Sequence, residues 1–281
     1  MEQPKVDLSG RVVVVSGAGG GGIGSAITRW VAGAGATVIA VDVKAERLLP
    51  QVESWQAEGL AVTAVLADVL AEEGIATVIE AARRAAGSLY GLVTVVGGGP
   101  PPTWGPATRL KRQDWHALFQ LNLDSMFFLS QAFARELCQQ KKPGAIVAIS
   151  SLNGATSSPF NVGYGASKAA MHSVVQTMAL ELAASNIRVN AIAPGPVATP
   201  TASLADDPDL LRRGIPMGRH GDVDEIAGPA LFLLSPWSSF MTGQCLLVDG
   251  GCNIKWCHLS DDNLPMFLKN ASVREALKGS E

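Results

Sequence analysis

Residues 11–25, Arg-Val-Val-Val-Val-Ser-Gly-Ala-Gly-Gly-Gly-Gly-Ile-Gly-Ser, constrain the fold more than any other stretch of the chain. Four consecutive valines predict a strand buried on both faces, because β-branched side chains suit the pleat and no polar alternation appears. Glycines follow at once, and then Ile23, Ala26, Ile27, Trp30, Val31 and Ala34 recur at helical spacing. Strand, glycine turn and helix make a nucleotide-binding unit: bare glycines let backbone N–H groups close on a pyrophosphate, and the helix N-terminus adds partial positive charge. A glycine pattern alone is a weak signal, and this run satisfies G-x-G-x-x-G in more than one register. Its context strengthens it, since a carboxylate, Asp42, follows about 20 residues on. A flexible glycine linker is the plainer alternative.

The rest of the chain alternates strand and helix. Thr37–Asp42 reads as a second strand, 45–58 as a helix, 61–68 as a third strand and 71–86 as a helix. Then come a strand over 89–96, one long amphipathic helix over 113–138, a strand over 144–150 and an alanine-rich helix over 163–184. A strand over 187–192, a helix over 223–234 and a seventh strand over Cys245–Val248 complete the pattern. Such alternation predicts right-handed crossovers and a doubly wound parallel sheet with helices on both faces: a single-domain Rossmann-type α/β fold over residues 1–251. At 281 residues with 47% hydrophobic content the chain can bury a large core. A net charge of −3 points to neither a nucleic acid nor a membrane as partner, and no stretch is long enough to span a bilayer. Residues 1–10 carry Glu2 and Asp7 and no apolar targeting core, and the four cysteines have no framework spacing, so a cytoplasmic protein with reduced thiols is expected. Cys252, Cys257 and His258 lack a fourth ligand at a familiar spacing, and no metal is expected.

Ligands of such a sheet bind beyond the C-terminal strand ends. Asp42 stands there, where it can accept hydrogen bonds from ribose hydroxyls and repel a 2′-phosphate, favouring NAD over NADP; capping the next helix is the alternative role. Asp68 ends the third strand and can meet an adenine edge or cap a helix. Ser151 follows the fifth strand, and Tyr164 and Lys168, four apart, share one helix face. An ammonium one turn away is expected to lower the phenol pKa, so that Tyr164 can exchange a proton with a substrate hydroxyl or carbonyl while Ser151 holds the same oxygen. Asn122, polar within an apolar helix, is expected to hold a water linking Lys168 to solvent.

With these residues in place the chain resembles the short-chain dehydrogenase/reductase family over roughly residues 8–251. The resemblance rests on the glycine loop, Asp42, Asp68, Asn122, Ser151, Tyr164, Lys168, Arg188-Val-Asn-Ala-Ile-Ala-Pro-Gly195 and Asp249-Gly-Gly. It implies a catalytic tetrad of Asn122, Ser151, Tyr164 and Lys168. It implies NAD contacts at Gly17, Gly19, Gly22, Ile23, Gly24, Asp42, Asp68, Val69, Gly97, Tyr164, Lys168, Pro194, Gly195, Val197 and Thr199, with Lys168 on the nicotinamide ribose, and a homotetramer. Two departures stand out. The segment from Gly17 to Gly22 encloses one residue more than the family's usual loop, which predicts a bulge, and Thr94-Val-Val-Gly97 replaces Asn-Asn-Ala-Gly, removing amide bonds that brace the strands.

The expected activity is hydride transfer between NAD(H) and a secondary alcohol or ketone. An NADP-linked reductase of the ketoacyl-reductase type is the alternative, for which Lys44 is the one dissenting cation, and a non-catalytic NAD-binding regulator is another. Candidate substrate walls are Pro100 to Trp104, Leu152, Asn153 and on to Ala155, Phe160, Leu204 and Met217, which suit a neutral alicyclic, aromatic or steroid-like molecule. Arg212, Arg213 and Arg219 flank the expected lid. Residues 252–281 form an extension whose Trp256, Leu259, Leu264, Met266, Phe267 and Leu268 are too apolar for a solvated tail, with Ser272 and Glu275 as a capping box. The extension covers either its own domain or a neighbouring subunit.

Overall fold

The computed structural model describes residues 6–200, 202, 207–255, 263 and 271–272. Seven parallel strands, β1 (Arg11–Ser16), β2 (Thr37–Asp42), β3 (Val62–Leu66), β4 (Ser88–Thr94), β5 (Gly144–Ile149), β6 (Ile187–Pro194) and β7 (Cys245–Val248), form one sheet in the order β3-β2-β1-β4-β5-β6-β7. The valine run explains why β1 is central. Val13 and Val15 face the layer of α1 (Ile23–Gly33), α2 (Ala45–Ala57) and α8 (Asp224–Leu234), while Val12 and Val14 face the layer of α3 (Glu72–Arg84), α5 (Ser125–Gln140) and α6 (Val162–Leu182). All four valines are fully buried. Successive side chains point to opposite faces, so a strand covered on both sides needs an unbroken apolar run. Because β1 pairs with both β2 and β4, chain direction across the sheet reverses beside it, and a crevice opens there at the C-terminal strand ends.

The helix expected over 113–138 spans α4 (Arg112–Phe119), a wider π turn over Gln120–Asp124, and α5. The π turn falls on Asn122, whose Nδ2 donates to Leu118 O at 2.9 Å inside the helix and to Gly98 O at 2.9 Å outside it. A side-chain amide bonding the helix's own carbonyl while reaching another loop gives a local reason for the widened turn. Periodicity also passed over α7 (Pro208–Gly214), a helix too short for an apolar stripe. Its start was legible: Asp207 accepts hydrogen bonds from Asp209 N and Leu210 N, with Pro208 in the first turn.

The extension begins with a 3-10 turn over Cys252–Ile254. Lys255 Nζ donates to Arg212 O at 2.9 Å, and Asn263 Nδ2 donates to Pro216 O at 2.9 Å, so these two residues lie along the α7 region of their own chain. Ser272 stands in a helical turn with Ala271. Leu204, Trp256, Cys257, His258, Leu259, Leu264, Met266, Phe267, Leu268 and Glu275 lie outside the described residues. Among the described residues no helix is long and apolar enough to cross a membrane, and no His, Cys, Asp or Glu group could hold a metal.

Candidate active site

The glycine loop is shaped by what its glycines touch. A Cβ on Gly24 would sit 2.0 Å from Gly17 O, so α1 begins in direct contact with the end of β1 only because Gly24 has no side chain. A Cβ on Gly19 would meet Asp42 Oδ2 at 2.9 Å. The additional loop residue is accommodated by Gly20 (φ +87°) and Gly21 (φ +71°), a left-handed pair that other residues adopt at a cost. Ser25 ties the bulge down: its Oγ accepts from Gly21 N at 2.9 Å and donates to Ala18 O at 2.7 Å. No side chain caps α1 at Gly22, which leaves its first N–H groups to a bound anion.

A cleft of about 960 Å³ runs along the strand ends. Gly17, Gly19, Gly22, Ile23, Gly24, Asp42, Asp68, Val69, Gly97, Ser151, Tyr164, Lys168, Pro194, Gly195, Val197 and Thr199 all line it. Asp42 Oδ2 accepts from Gly19 N at 3.1 Å and Oδ1 accepts from Lys44 N at 3.1 Å, while Lys44 itself occupies the N-cap of α2. Asp68 Oδ1 accepts from Leu70 N at 2.9 Å, and Ala71 is the N-cap of α3. Both carboxylates therefore turn the chain at a strand end, and neither is the helix N-cap. Sequence reasoning missed Arg47, which lines the cleft with its stem 3.7 Å from the position of a Gly20 Cβ and whose O accepts from Gly20 N at 3.3 Å. A charged residue one turn into α2 carries no pattern signal of its own. A dinucleotide fits this chain: the loop offers a cradle that side chains would fill, and Asp42 stands at one end.

At the other end of the cleft stand Ser151 and Tyr164. Burial pushes the Tyr164 phenol above its ordinary value of 10, and the Ser151 hydroxyl pulls it partly back. The expected lowering by Lys168 is not found. Lys168 Nζ lies 5.8 Å from the Tyr164 ring centroid and donates to Ile149 O at 2.8 Å, and burial brings its own pKa down to about 7. A desolvated ammonium that is half neutral at pH 7 exerts little pull on a phenol it does not touch. The Asn122 amide is engaged by protein: its Oδ1 accepts from Gly98 N at 2.8 Å and its Nδ2 serves Gly98 O and Leu118 O, so it braces the loop after β4. The bracing lost with Asn-Asn-Ala-Gly is thus supplied from the π turn.

His172, one turn beyond Lys168, was not singled out from sequence, although the four-residue spacing was there to read. Its Nε2 lies 2.7 Å from Ser150 Oγ and 3.3 Å from Cys245 Sγ, joining α6 to the ends of β5 and β7. Burial first, and the charge of Lys168 second, lower its pKa.

The expected substrate walls are not gathered into this cleft. Met217 lines a separate small recess of about 90 Å³ with Ile215 and Asp249, and Trp104 another of about 240 Å³ with Arg109 and Asp114. Asn153 N donates to Ser151 Oγ at 3.2 Å and its Nδ2 to Ser158 Oγ at 2.9 Å, which places Leu152 and Asn153 in the turn that presents Ser151. Arg219 is paired with Glu225 in a two-bond ion pair and Arg212 with Asp209, so these lid arginines are engaged at the surface.

A parallel sheet with a glycine cradle at its switch point and a Ser-Tyr-Lys cluster opposite defines a class: Rossmann-type oxidoreductases acting on alcohols and ketones. A family model described as Enoyl-(Acyl carrier protein) reductase matches residues 17–253. The chain is 38% identical over 248 residues to the 3-oxoacyl-acyl-carrier-protein reductase FabG of Thermotoga maritima, covering 87% of this chain and 98% of that one. It superposes with a TM-score of 0.81 and 33% identity on a 7α-hydroxysteroid dehydrogenase complexed with NADH and 7-oxo glycochenodeoxycholic acid, over 87% of this chain and 95% of that one. A gluconate 5-dehydrogenase from Burkholderia cenocepacia in complex with NADP and tartrate gives 0.80 and 33%, over 88% and 96%. This chain belongs to the short-chain dehydrogenase/reductase family and is an oxidoreductase of that type.

Proposed function

We propose that the chain is an NAD-preferring dehydrogenase or ketoreductase of neutral, largely apolar secondary alcohols and ketones. The observation that carries this reading is the division of one cleft: Asp42 at the adenosine end and the Ser151–Tyr164 pair with buried Lys168 at the reacting end. A dinucleotide bound along Gly17 to Gly24 supplies the hydride acceptor or donor. Asp42 accepts from the ribose hydroxyls and its charge disfavours a 2′-phosphate. Thr199, Pro194 and Gly195 hold the carboxamide end, and Lys168 holds the nearer ribose. Ser151 positions the substrate oxygen, and Tyr164 Oη takes its proton in oxidation or returns it in reduction. Asn122 keeps Gly97 and Gly98 beside Lys168; a Cβ on Gly97 would lie 2.7 Å from Asn122 Oδ1 and 3.0 Å from Lys168 Nζ. The test is NADH absorbance over a panel of secondary alcohols with the wild type and Tyr164→Phe. Turnover lost in the variant with NAD affinity unchanged within a few-fold supports the assignment, and retained turnover overturns it.

An NADP-linked reductase of the ketoacyl-reductase type is the second reading, favoured by Arg47 beside the adenosine end of the cleft. Tryptophan fluorescence titrated with NAD and with NADP separates the two. We further propose a homotetramer in the cytoplasm. Phe128 of α5, Leu180 of α6 and Phe240 with Leu247 near β7 are exposed apolar residues that subunit contacts would cover, and Cys138, Cys245 and Cys252 are unpaired thiols. We read Lys255 and Asn263, which bond Arg212 O and Pro216 O, as the described points at which the extension covers its own domain.

A further inference from the structure

Lys168 and His172 lie one turn apart on α6, and both reach the place where β5 ends. Lys168 Nζ donates to Ile149 O at 2.8 Å. The next residue, Ser150, sets its hydroxyl 2.7 Å from His172 Nε2 and donates to Lys168 O at a longer 3.3 Å. Ser150 N also donates to Ile192 O at 2.7 Å, which fixes its main chain in the sheet. Ser151 follows directly and stands in the cleft with Tyr164. Of three consecutive residues, Ile149 thus holds the lysine, Ser150 holds the helix that carries it, and Ser151 belongs to the reacting end.

A count of protons decides which form of His172 this arrangement needs. The Ser150 hydroxyl has one proton, and its bond to Lys168 O uses it. The 2.7 Å contact is then a hydrogen bond only when Nε2 carries a proton and donates to Ser150 Oγ. Cys245 Sγ, 3.3 Å from the same nitrogen, serves as a weak second acceptor. Burial raises its thiol to about 11, so it brings no charge at neutral pH. Burial and the charge of Lys168 lower the His172 pKa, which leaves Nδ1 bare at neutral pH. The hydrogen bonds therefore run one way, from His172 Nε2 to Ser150 Oγ to Lys168 O. Ser150 is buried, so its hydroxyl depends on these two partners.

We propose that His172 is a positioning residue for the reacting end of the cleft. By donating to Ser150 it clamps the end of β5 to α6, keeping Lys168 Nζ on Ile149 O and Ser151 in register with Tyr164. His172 stands outside the cleft lining and acts through Ser150, which is part of that lining. This inference rests on the alcohol–ketone reading proposed above and adds to it the residue that holds the reacting groups in place.

The experiment compares wild type, His172→Phe, His172→Gln, Ser150→Ala and the double variant His172→Phe/Ser150→Ala. It reads kcat and KM over the panel of secondary alcohols, KM for NAD, and thermal midpoint. His172→Phe keeps a ring and loses the donor, so kcat is expected to fall about tenfold with both KM values within about threefold. His172→Gln places an amide N–H near the position of Nε2 and is expected to keep kcat within about twofold of wild type. Ser150→Ala breaks the same link and is expected to lower kcat about tenfold, with the double variant no slower than either single one. Losses that multiply to about a hundredfold in the double variant overturn the proposal. So does unchanged kcat in the single variants, or a His172→Gln enzyme as slow as His172→Phe. If His172→Phe does not fold, Ser150→Ala is set against Ser150→Thr, which keeps the hydroxyl, and equal rates overturn the clamp. If the wild type turns over none of the alcohols, the alcohol–ketone reading fails and the clamp is judged without turnover. The Lys168 titration, followed by NMR of protein labelled with 13C-lysine, is then expected to rise by about one pH unit in His172→Phe as water reaches the amine, and to stay in place in His172→Gln. Equal titration in all three proteins overturns the clamp.

Discussion

The side chain of Asn122 grips both main-chain polar groups of Gly98, accepting from its N–H at 2.8 Å and donating to its carbonyl at 2.9 Å. Asn122 is fully buried and its second Nδ2 proton is used on Leu118 O inside the helix, while the two bonds to Gly98 lie at the partly exposed edge of the cleft. One side chain in a π turn thereby fixes the loop after β4 against the floor of the cleft, next to Lys168.

Truncating this residue removes all three bonds at once. Asn122→Ala is expected to destabilise the protein by about 1–3 kcal/mol, the cost of losing the buried bond to Leu118 O and of leaving the part-buried Gly98 groups without their amide partner. Denaturant midpoints check the loss. A drop in kcat accompanies it in protein that remains folded, because Gly97 and Gly98 line the cleft.

Asp42 carries two roles that different substitutions separate. Asp42→Asn keeps an acceptor for Gly19 N and removes the charge, so NADP binding is expected to improve by about 1–3 kcal/mol relative to NAD. Asp42→Ala also frees the glycine loop and weakens both dinucleotides. Arg47→Ala is expected to weaken NADP about tenfold and NAD much less, since an arginine at that end of the cleft meets the 2′-phosphate alone. Calorimetric titration of each variant with both dinucleotides reads all three outcomes.

Lys168 is buried with a pKa lowered from 10.5 to about 7. Below pH 7 it is charged in both folded and unfolded chains, and the folded state carries the full desolvation cost. Between pH 7 and 10.5 the folded lysine is neutral while the unfolded one still holds its proton, so this cost fades as pH rises. Lys168→Met is expected to stabilise the protein by about 1–3 kcal/mol at pH 6.5, less than the shift alone implies because the Lys168–Ile149 bond is lost with it. The gain shrinks toward pH 9.5, and turnover disappears. Thermal midpoints across that range test the sign.

Deleting residues 256–281 removes the bond from Asn263 to Pro216 O and leaves Lys255 as the described tie to the α7 region. The expected result is a raised KM for the alcohol with KM for NAD little changed. Sedimentation on the same sample shows whether subunit association depends on the segment as well.

Much of this fold was written locally. The valines of β1 announce a strand covered on two faces, the glycines announce a backbone that something must approach closely, and seven alternating segments leave little choice but a parallel α/β sheet. Ser151, Tyr164 and Lys168 were legible because spacing along a helix and position after a strand are properties of the chain itself. Contacts between distant segments were not. No sequence pattern places the Arg47 stem against Gly20, turns the Asn122 amide onto Gly98, or joins His172 to Ser150 and Cys245, because each depends on how separate elements pack. The proton affinities of Tyr164 and Lys168 belong to the same class. The four-residue spacing promised an ammonium beside a phenol, whereas the fold buried both, and desolvation moved each pKa toward its neutral form. The sequence by itself determined the order and type of the elements and which candidate reacting groups share one cleft end. Only the tertiary structure decided which partners and how much water those groups would have, since burial is a property of the assembled layers.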